Sequence, residues 1–428
     1  MGATKAKPTL LLISQVYVPD PASVGQHMHD AAVEMVRRGY RVLVFTSARG
    51  YDDPAQRYGR REILDEIEIR RFPLSSFGKR SIKVRLFAQA LFLLQVLVHG
   101  VLVRRLSVVL VSTSPPMASA SAVLIAALRG VPLKYWVMDL NPDQMISLGI
   151  LSERSLAVRV FDWLNHKTLV HATDVIALDR FMEQRLKLKG ECARKIVVIP
   201  PWPHVDYAEP VAHERNPFRS EHQLGEEDDA KFVIMYSGNH GPSNPIDTVL
   251  AAAERLTDRK EIVFMFVGGG LQKERVEAAI AAGHDNIRSL PYQPMDTLRY
   301  SLSAADVHIV TVGDEIVGIC HPCKIYGAMA VARPIFLIGP ESCHVSEIMN
   351  ENEIGWHVRH GDVDGAVDAI VAMSSSGRAK LRKMGATSRR IVQAQFAKDS
   401  LVQQLCDVLE RGVAPAGSMS GRVMAGAP

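Results

Sequence analysis

The chain has 428 residues, of which 47% are hydrophobic, 22% charged and 6% aromatic; that length admits two or three domains of ordinary size, and that composition excludes a disordered or collagenous polymer. The net charge of +4 hides a split, because residues 1–205 carry 28 Lys and Arg against 17 Asp and Glu, a net of +11, whereas the remainder carries 22 against 29, a net of −7. Five irregularly spaced cysteines exclude a disulfide framework and point to a reducing, cytoplasmic setting, and the polar opening Met1–Pro8 is not expected to be a secretory signal.

In chain order, the apolar run Thr9–Ser14 predicts a buried first strand, followed by a loop over Gln15–Gly25. His27–Arg38 is predicted helical, since Ala31, Ala32, Met35 and Val36 share one side and Gly39 ends it. Further strands are predicted over Arg41–Thr46, Val108–Ser112, Leu133–Met138, Val175–Ala177 and Val197–Ile199, with a small-residue helix over Ala118–Leu128 after Pro115-Pro116.

Leu86–Val103 is an apolar run of eighteen residues, interrupted by Gln89, Gln95 and His99 and flanked by Arg80, Lys83, Arg85, Arg104 and Arg105. That is the lower limit for spanning a bilayer, and cations at both ends set no orientation. The expectation is a helix at an anionic membrane surface, contacting it through Phe77–Arg105 with the basic segment Phe77–Arg85 assisting. A helix buried against the sheet is the alternative.

Trp202–Asp229, rich in Pro, His and Glu, breaks the alternation and reads as a linker. A second alternation follows, with strands over Phe232–Tyr236, Ile262–Val267, Ile287–Leu290, Val307–Val310 and Ile335–Ile338. Its helices are predicted over Pro245–Leu256, Gln272–Ala282, Thr297–Ala304 and Lys324–Val331, and Ala366–Met373 and Arg378–Leu409 close the chain. Such alternation predicts parallel βαβ units. The expected architecture is α/β: two Rossmann-like domains facing a central cleft, residues 1–205 and 230–385, joined by a linker over 206–229. Closing helices over 386–412 return to the first domain, and residues 413–428 form a mobile tail rich in Gly, Ala and Ser. Ligands are expected beyond the carboxyl ends of the strands.

Gly318–Pro334, GICHPCKIYGAMAVARP, joins a loop to an Ala-rich helix. Pro322 suits a first helical turn, and free amides there beside the Lys324 ammonium would hold a diphosphate. The other candidates around this loop are Pro322, Cys323, Ile325, Tyr326 and Gly327, with Gly238, Asn239 and His240 after one strand and Gly268 and Gly269 after the next. His344, beside Cys343, is expected to line the same pocket. In the N-terminal half, Asp139 ends a strand where a carboxylate can orient a hydroxyl or take its proton; Gly25, Gln26 and His27 are the other candidates there. Asp139 as a turn cap, and His27 and His29 in capping roles, are the structural alternatives. Cys320-His-Pro-Cys323 also admits a redox reading, or a zinc site with Cys343 and His344, although that spacing fits no common site.

The chain resembles the bacterial family 4 glycosyltransferases of the GT-B fold, in the branch that builds capsule, colanic-acid or O-antigen sugars. The resemblance is carried by Arg38-Gly-Tyr-Arg-Val42, Ser112-Thr-Ser-Pro-Pro116, Val137-Met-Asp-Leu-Asn-Pro142, Val198-Ile-Pro-Pro-Trp202, Tyr236-Ser-Gly-Asn-His-Gly241, Phe266-Val-Gly-Gly-Gly270, Ala304-Ala-Asp306 and Pro322-Cys-Lys-Ile-Tyr326, in that order along the chain. It implies a hexosyltransferase-type enzyme that moves a sugar from a nucleotide diphosphate sugar, with retention and without a bound metal or cofactor. The implied acceptor is a saccharide on a polyprenyl diphosphate, at the inner face of the bacterial plasma membrane. The resemblance implies that the C-terminal domain binds the donor, which makes its candidates and Lys324 donor-side with His344 on the sugar side, and that the N-terminal domain binds the acceptor, which makes Gly25, Gln26, His27 and Asp139 acceptor-side. Many members carry two glutamates eight residues apart around the donor loop, the second of which contacts the ribose; the matching positions here are Ile319 and Gly327. A nucleotide-sugar 2-epimerase of the same fold and a non-catalytic partner subunit are the competing readings. No aromatic stacking platform accompanies the basic half, so nucleic acid is not an expected partner.

Overall fold

The computed structural model describes residues 7–20, 22–50, 55–73, 82–190, 192–204, 210–225 and 230–414. Residues 77–81 of the expected membrane segment and 415–428 of the expected tail lie outside these. The chain divides into two compact units: unit 1 is Met1–Pro200 with Asp399–Pro428, and unit 2 is Pro201–Lys398.

Unit 1 runs β1 (Thr9–Ile13), α1 (Ser23–Arg37), β2 (Arg41–Ser47), β3 (Arg61–Leu64), β4 (Ile67–Phe72), α2 (Ile82–Val101), β5 (Leu106–Ser112), α3 (Ala118–Arg129), β6 (Leu133–Trp136), α4 (Asp143–Ser147), α5 (Leu156–His171), β7 (Asp174–Ala177), α6 (Arg180–Leu188) and β8 (Ile196–Val198). The eight strands lie in the order β3-β4-β2-β1-β5-β6-β7-β8, all parallel to their neighbours except the β3–β4 hairpin. β1 and β5 are buried along their whole length, as apolar runs in a sheet covered on both faces must be. The β3–β4 hairpin was not legible from the pattern, because REILDEIEIR reads as charged surface. Its turn is made by Asp65 and Glu66 at φ of 50° and 62°, the left-handed pair that suits a tight hairpin.

Unit 2 continues with α7 (Pro217–Glu221), β9 (Phe232–Ser237), α8 (Asp247–Arg255), β10 (Ile262–Val267), α9 (Lys273–Ala281), β11 (Ile287–Leu290), α10 (Leu298–Ser303), β12 (Val307–Thr311), α11 (Lys324–Ala330), β13 (Ile335–Ile338), α12 (His344–Glu351), β14 (Gly355–Val358), α13 (Val363–Ser375) and α14 (Arg378–Gln395). Its six strands are parallel in the order β11-β10-β9-β12-β13-β14. Ile234, Tyr236, Phe264, Phe266, Ile309 and Phe336 fill the core beneath α8 and α13.

The expected linker needs correction where it is described. Residues 210–225 belong to unit 2 and carry α7, which Asn216 caps through Phe218 N–H and Pro217 opens. Arg219 is wholly buried and donates to the carbonyls of Leu224, Gly225, Lys231 and Ala304 at 2.6–3.1 Å. The polar composition that reads as solvated linker is here a buried cation satisfied by backbone.

The closing helix is also two helices. The chain leaves helical geometry at Phe396, which is buried, and α15 (Lys398–Glu410) belongs to unit 1 from Asp399 onward. Arg38, at the end of α1, pairs with Asp407 at 2.7 Å and Glu410 at 2.8 Å. Lys134 is fully buried, paired with Asp174 at 2.5 Å, and donates to the Arg411 carbonyl at 2.7 Å. The return of the C-terminal helix to the first domain is therefore observed.

Among the described residues no helix is long and apolar enough to cross a membrane. α2 buries Ala88, Phe92 and Val96 but exposes Leu94 and Val98, so its apolar sequence serves both the sheet and an outer face.

Candidate functional site

In each unit the strand order reverses beside the first strand: between β1 and β5 in unit 1, and between β9 and β12 in unit 2. Loops diverging there leave a crevice at the carboxyl ends of the strands, where open α/β sheets bind ligands. The donor-side candidates all follow β9, β10, β12 or β13, so one end of the unit 2 sheet gathers them.

The loops after β9 and β10 are stitched together. Gly238 N–H donates to the Val267 carbonyl at 2.9 Å, and His240 N–H to the Gly269 carbonyl at 2.7 Å. Tyr236 hydroxyl closes the turn on the Asn239 carbonyl at 2.8 Å, and Lys273 Nζ holds the Gly268 carbonyl at 2.9 Å. Gly238 and Gly268 have φ of 129° and 133°, which side chains avoid. A Cβ on Gly268 would lie 2.1 Å from the Gly238 carbonyl oxygen, and one on Gly238 would lie 2.9 Å from Lys324 Cε.

Lys324 thus lies directly against the β9 loop. Its Nζ stands 4.9 Å from the centre of the Tyr236 ring, a cation–π distance. Burial draws its ammonium pKa down to about 8, and among the described residues no carboxylate pairs with it. A half-buried cation with no counter-ion among the described residues can receive an anion.

His240 is fully buried, and burial first, with Lys324 and Lys273 nearby, drives its pKa down to about 4. Its Nδ1 lies 3.1 Å from the Gly269 carbonyl. A carbonyl can only accept, so Nδ1 carries the proton and Nε2 presents a lone pair; that Nε2 has no hydrogen-bond partner. His240 therefore suits a hydroxyl donor better than a phosphate.

A second cluster surrounds Tyr326, whose hydroxyl lies 2.7 Å from His321 Nε2 and 2.9 Å from His344 Nε2. One proton cannot serve both bonds, so at least one imidazole donates its own Nε2–H. Phe396 packs on Tyr326, ring centres 4.9 Å apart. His344 opens α12 behind a capping box formed by Cys343 and Ser346. Sequence reading included Tyr326 and His344 but passed over His321, seen only as a spacer between cysteines; nothing in the sequence says that residues 321 and 344 meet.

Some expectations are not met in the form given. Ile325 is wholly buried, so only its backbone is at the helix start. α11 has seven residues, and two amides of its first turn fold back locally: Ile325 N–H to the Pro322 carbonyl at 3.4 Å and Tyr326 N–H to that of Cys323 at 3.2 Å. Charge at this site therefore rests on Lys324 more than on free amides. Gly327, where a glutamate was looked for, has open space: a Cβ there meets only Leu302 Cδ1, at 3.5 Å. All five cysteines are free, with Cys320 Sγ 3.8 Å from Ser243 Oγ. Among the described residues no group of His, Cys, Asp or Glu has metal-holding geometry, so the zinc alternative gains no support.

In unit 1, Gly25, Gln26 and His27 fall in the first turns of α1, which starts at Ser23, earlier than predicted. A Cβ on Gly25 would press on the Tyr17 backbone at 3.0 Å. His27 is buried, its Nδ1 2.8 Å from the Ser23 carbonyl, which ties it into its own helix. His29 joins Tyr17 hydroxyl at 3.1 Å and Asp65 at 3.0 Å. Asp139 follows β6, beside the switch point, and its N–H and that of Met138 donate to Thr113 Oγ1 at 3.1 and 3.2 Å. Three cis peptides, Val18–Pro19, Ser114–Pro115 and Asn141–Pro142, lie in the loops after β1, β5 and β6.

Both units match glycosyltransferase family models: residues 23–202 a glycosyl transferase 4-like domain, and residues 231–376 the glycosyl transferases group 1 domain. A probable glycosyltransferase of Pseudomonas aeruginosa, WbjE, is 26% identical over 299 residues, 69% of this chain and 72% of that protein. WcaI of Escherichia coli K12, a putative colanic acid biosynthesis glycosyl transferase, is 27% identical over 212 residues, 49% of this chain and 51% of that protein. Among solved structures, HepE of Anabaena in complex with UDP-glucose superimposes with a TM-score of 0.69 at 15% identity, over 94% of this chain and 99% of that one; at that identity the likeness speaks to fold alone. The doubly matched chain belongs to the bacterial GT-B glycosyltransferases of family 4, and it is an enzyme of that class.

Proposed function

We propose that this enzyme moves a sugar from a nucleotide diphosphate sugar, with retention at the anomeric carbon, to a saccharide carried on a polyprenyl diphosphate. The setting is surface polysaccharide assembly, in the cytoplasm at the inner face of the plasma membrane. One observation carries the reading: Lys324, an ammonium with no carboxylate partner among the described residues, follows β12 and lies against the Gly238 loop, which itself presses on Gly268.

The reaction breaks the bond between the anomeric carbon and a diphosphate oxygen, and the electron pair stays on that oxygen. The bond to the acceptor hydroxyl oxygen forms as that hydroxyl gives up its proton. A cation fixed beside the developing charge is the largest electrostatic aid available to such a step. Lys324 supplies it in this reading, without a metal. The lone pair of His240 Nε2 is suited to a donor hydroxyl, and the loop glycines let backbone approach the ligand. Asp139, Gly25, Gln26 and His27 remain the acceptor-side candidates in unit 1. The relatives named for polysaccharide work, and the UDP-glucose held by the Anabaena neighbour, support the donor class.

A thermal-shift panel of UDP-, GDP-, dTDP- and ADP-sugars tests the proposal, because a ligand that binds only the folded state raises its melting temperature. One nucleotide sugar is expected to give a saturable rise, and its transfer product to keep the donor's anomeric configuration by NMR. A panel with no rise, or a product of inverted configuration, would refute the reading as stated.

A further inference from the structure

We propose that unit 1 docks on an anionic bilayer through the joined outer faces of α2, α3 and α5, lying in the interface and not crossing it. The biological setting rests on the inner-membrane reading above; the surface itself is argued from geometry and charge.

The three helices form one layer. Ser121 of α3 donates to the Leu93 carbonyl of α2 at 2.9 Å, and Thr168 of α5 donates to Ser119 of α3 at 2.9 Å. The inner side of α3 is made of small residues, Ala118, Ser119, Ala122 and Ala126, so its neighbours pack close. A helix that covers a sheet normally turns polar residues outward; the outer faces of α2 and α3 are mainly apolar instead, and α5 adds exposed Leu156, Val160 and Trp163 among the polar Arg159, Asp162, His166 and Lys167. Leu94, Val98 and Leu102 recur every fourth residue along α2 and its end, Leu124 and Leu128 do so on α3, and Trp163 faces out from α5. These six are 49–73% exposed. Contiguous apolar surface of this kind marks an interaction site.

Charge selects the occupant. From Ile69 to Met138, seventy residues that include α2 and α3, the chain has ten Lys and Arg and no Asp or Glu. At the far end of the patch a groove lined by Lys7, Arg41, Arg104, Arg105 and Arg129, with Glu66 and Tyr40, concentrates those cations. Arg41 is engaged with Glu68 and Arg129 with the Val101 carbonyl, but Arg104 and Arg105 are exposed and without a carboxylate partner among the described residues. A second copy of this chain would bring the same cations to the contact and be repelled. Apolar surface beside unpaired cations complements acyl chains beneath anionic headgroups.

The experiment is flotation of the full chain with vesicles of phosphatidylglycerol and phosphatidylethanolamine, against pure phosphatidylcholine, at low and high salt. The protein is expected to float with the anionic vesicles and to be released by salt. The triple substitution Leu94→Glu, Val98→Glu, Leu128→Glu should lower the bound fraction about tenfold or more, since each charge opposes insertion. Arg104→Ala with Arg105→Ala should weaken binding to anionic vesicles only. Trp136 and Trp202 are buried and Trp356 is half-buried against the unit 2 core, which leaves exposed Trp163 as the depth probe: on vesicle addition, brominated acyl chains should quench the part of the emission that Trp163→Phe removes. Flotation unchanged by the triple substitution, or unquenched Trp163 in the wild type, overturns the proposal. So does a triple variant that loses self-association in the absence of lipid, for then a second copy occupies the face. The nucleotide-sugar thermal shift, measured on the same triple variant, separates the two ideas: the shift should persist when docking is lost, and its absence in the wild type would count against the donor reading alone.

Discussion

At the scale of single residues, the proposed role of Lys324 turns on its charge. Burial brings its pKa to about 8, below the ordinary lysine value, so the free enzyme loses this charge on mild alkalinisation. The stability sign follows. The unfolded chain binds the proton more tightly, so the fold bears a cost for the charged form below pH 8 that is relieved as pH rises toward 10.5. In the proposed reaction function runs the other way, because a diphosphate leaving group needs the ammonium. The donor kcat/KM should therefore fall along an alkaline limb near pH 8. Lys324→Arg should move that limb up, and Lys324→Ala should cut turnover about 10²-fold. A limb unmoved by Lys324→Arg would detach this residue from the reaction. Two glycines of the site make an opposed pair of predictions. Gly268→Ala meets backbone at 2.1 Å with φ of 133° and should cost about 3 kcal/mol or more in unfolding free energy. Gly327→Ala sits inside α11 with only ordinary contact to Leu302 and should gain about 0.5–1 kcal/mol; denaturant titrations of both read the contrast. Lys324 and the loops were legible in sequence as candidates, since glycines after strands and a lysine after Pro-Cys are local signals. The bridge from His321 through Tyr326 to His344, which is a meeting of distant segments, was not.

At the scale of elements, buried parallel strands were legible because both faces are covered and the apolar runs are unbroken. Elements with mixed faces were not: the β3–β4 hairpin, α5, α6 and the edge strand β14 carry charges and half-exposed positions and give no clear period. α7 was read as linker because Arg219 and Asn216 look like solvent-facing residues when their buried partners are unknown. The break between α14 and α15 escaped notice because Phe396 and Ala397 are neither Gly nor Pro. α15 itself is held by an apolar face, Leu401, Leu405, Val408 and Leu409, all buried, and by the Arg38 ion pairs at its rim. Asp407 is 65% exposed, so its pair is worth little, whereas removal of the fully buried Leu405 side chain leaves a cavity. Leu405→Ala should destabilise unit 1 by about 2–5 kcal/mol and raise hydrogen exchange across residues 398–410. Destabilisation below about 1 kcal/mol would mean that α15 is an accessory rather than part of the unit 1 fold.

At the scale of the whole molecule, the acid response rests on buried and half-buried groups of unit 2. Unit 2 holds three histidines neutral, His213 half-buried and His240 and His308 buried: His213 at about 3, by desolvation and then Arg219 and Arg333, and His240 and His308 at about 4, by burial first. Each is anchored to a carbonyl, of Ala305, Gly269 and Leu302 respectively, so each is built into the fold as an uncharged donor. An unfolded histidine takes its proton near pH 6.5, and these cannot do so until the pH falls two or more units further. Between those values the unfolded chain binds more protons than the folded one. Stability therefore rises with pH across this window and drains away as pH falls through it. Each fully engaged histidine contributes a slope of about 1.4 kcal/mol per pH unit. Asp306 opposes them, since burial raises its carboxyl pKa; its cost is relieved as the pH drops, but it is one group against three. Melting followed by near-ultraviolet circular dichroism should therefore show a steep loss between pH 6.5 and 4.5. His308→Gln keeps a donor for the Leu302 carbonyl but cannot take up the proton, so it should lower stability somewhat at neutral pH while making the acid slope shallower by about one proton. A melting temperature that is flat from pH 6.5 to 4.5, or a His308→Gln slope equal to the wild type, would show that these imidazoles take up protons in the fold as readily as in water, and would remove burial as the source of their neutrality.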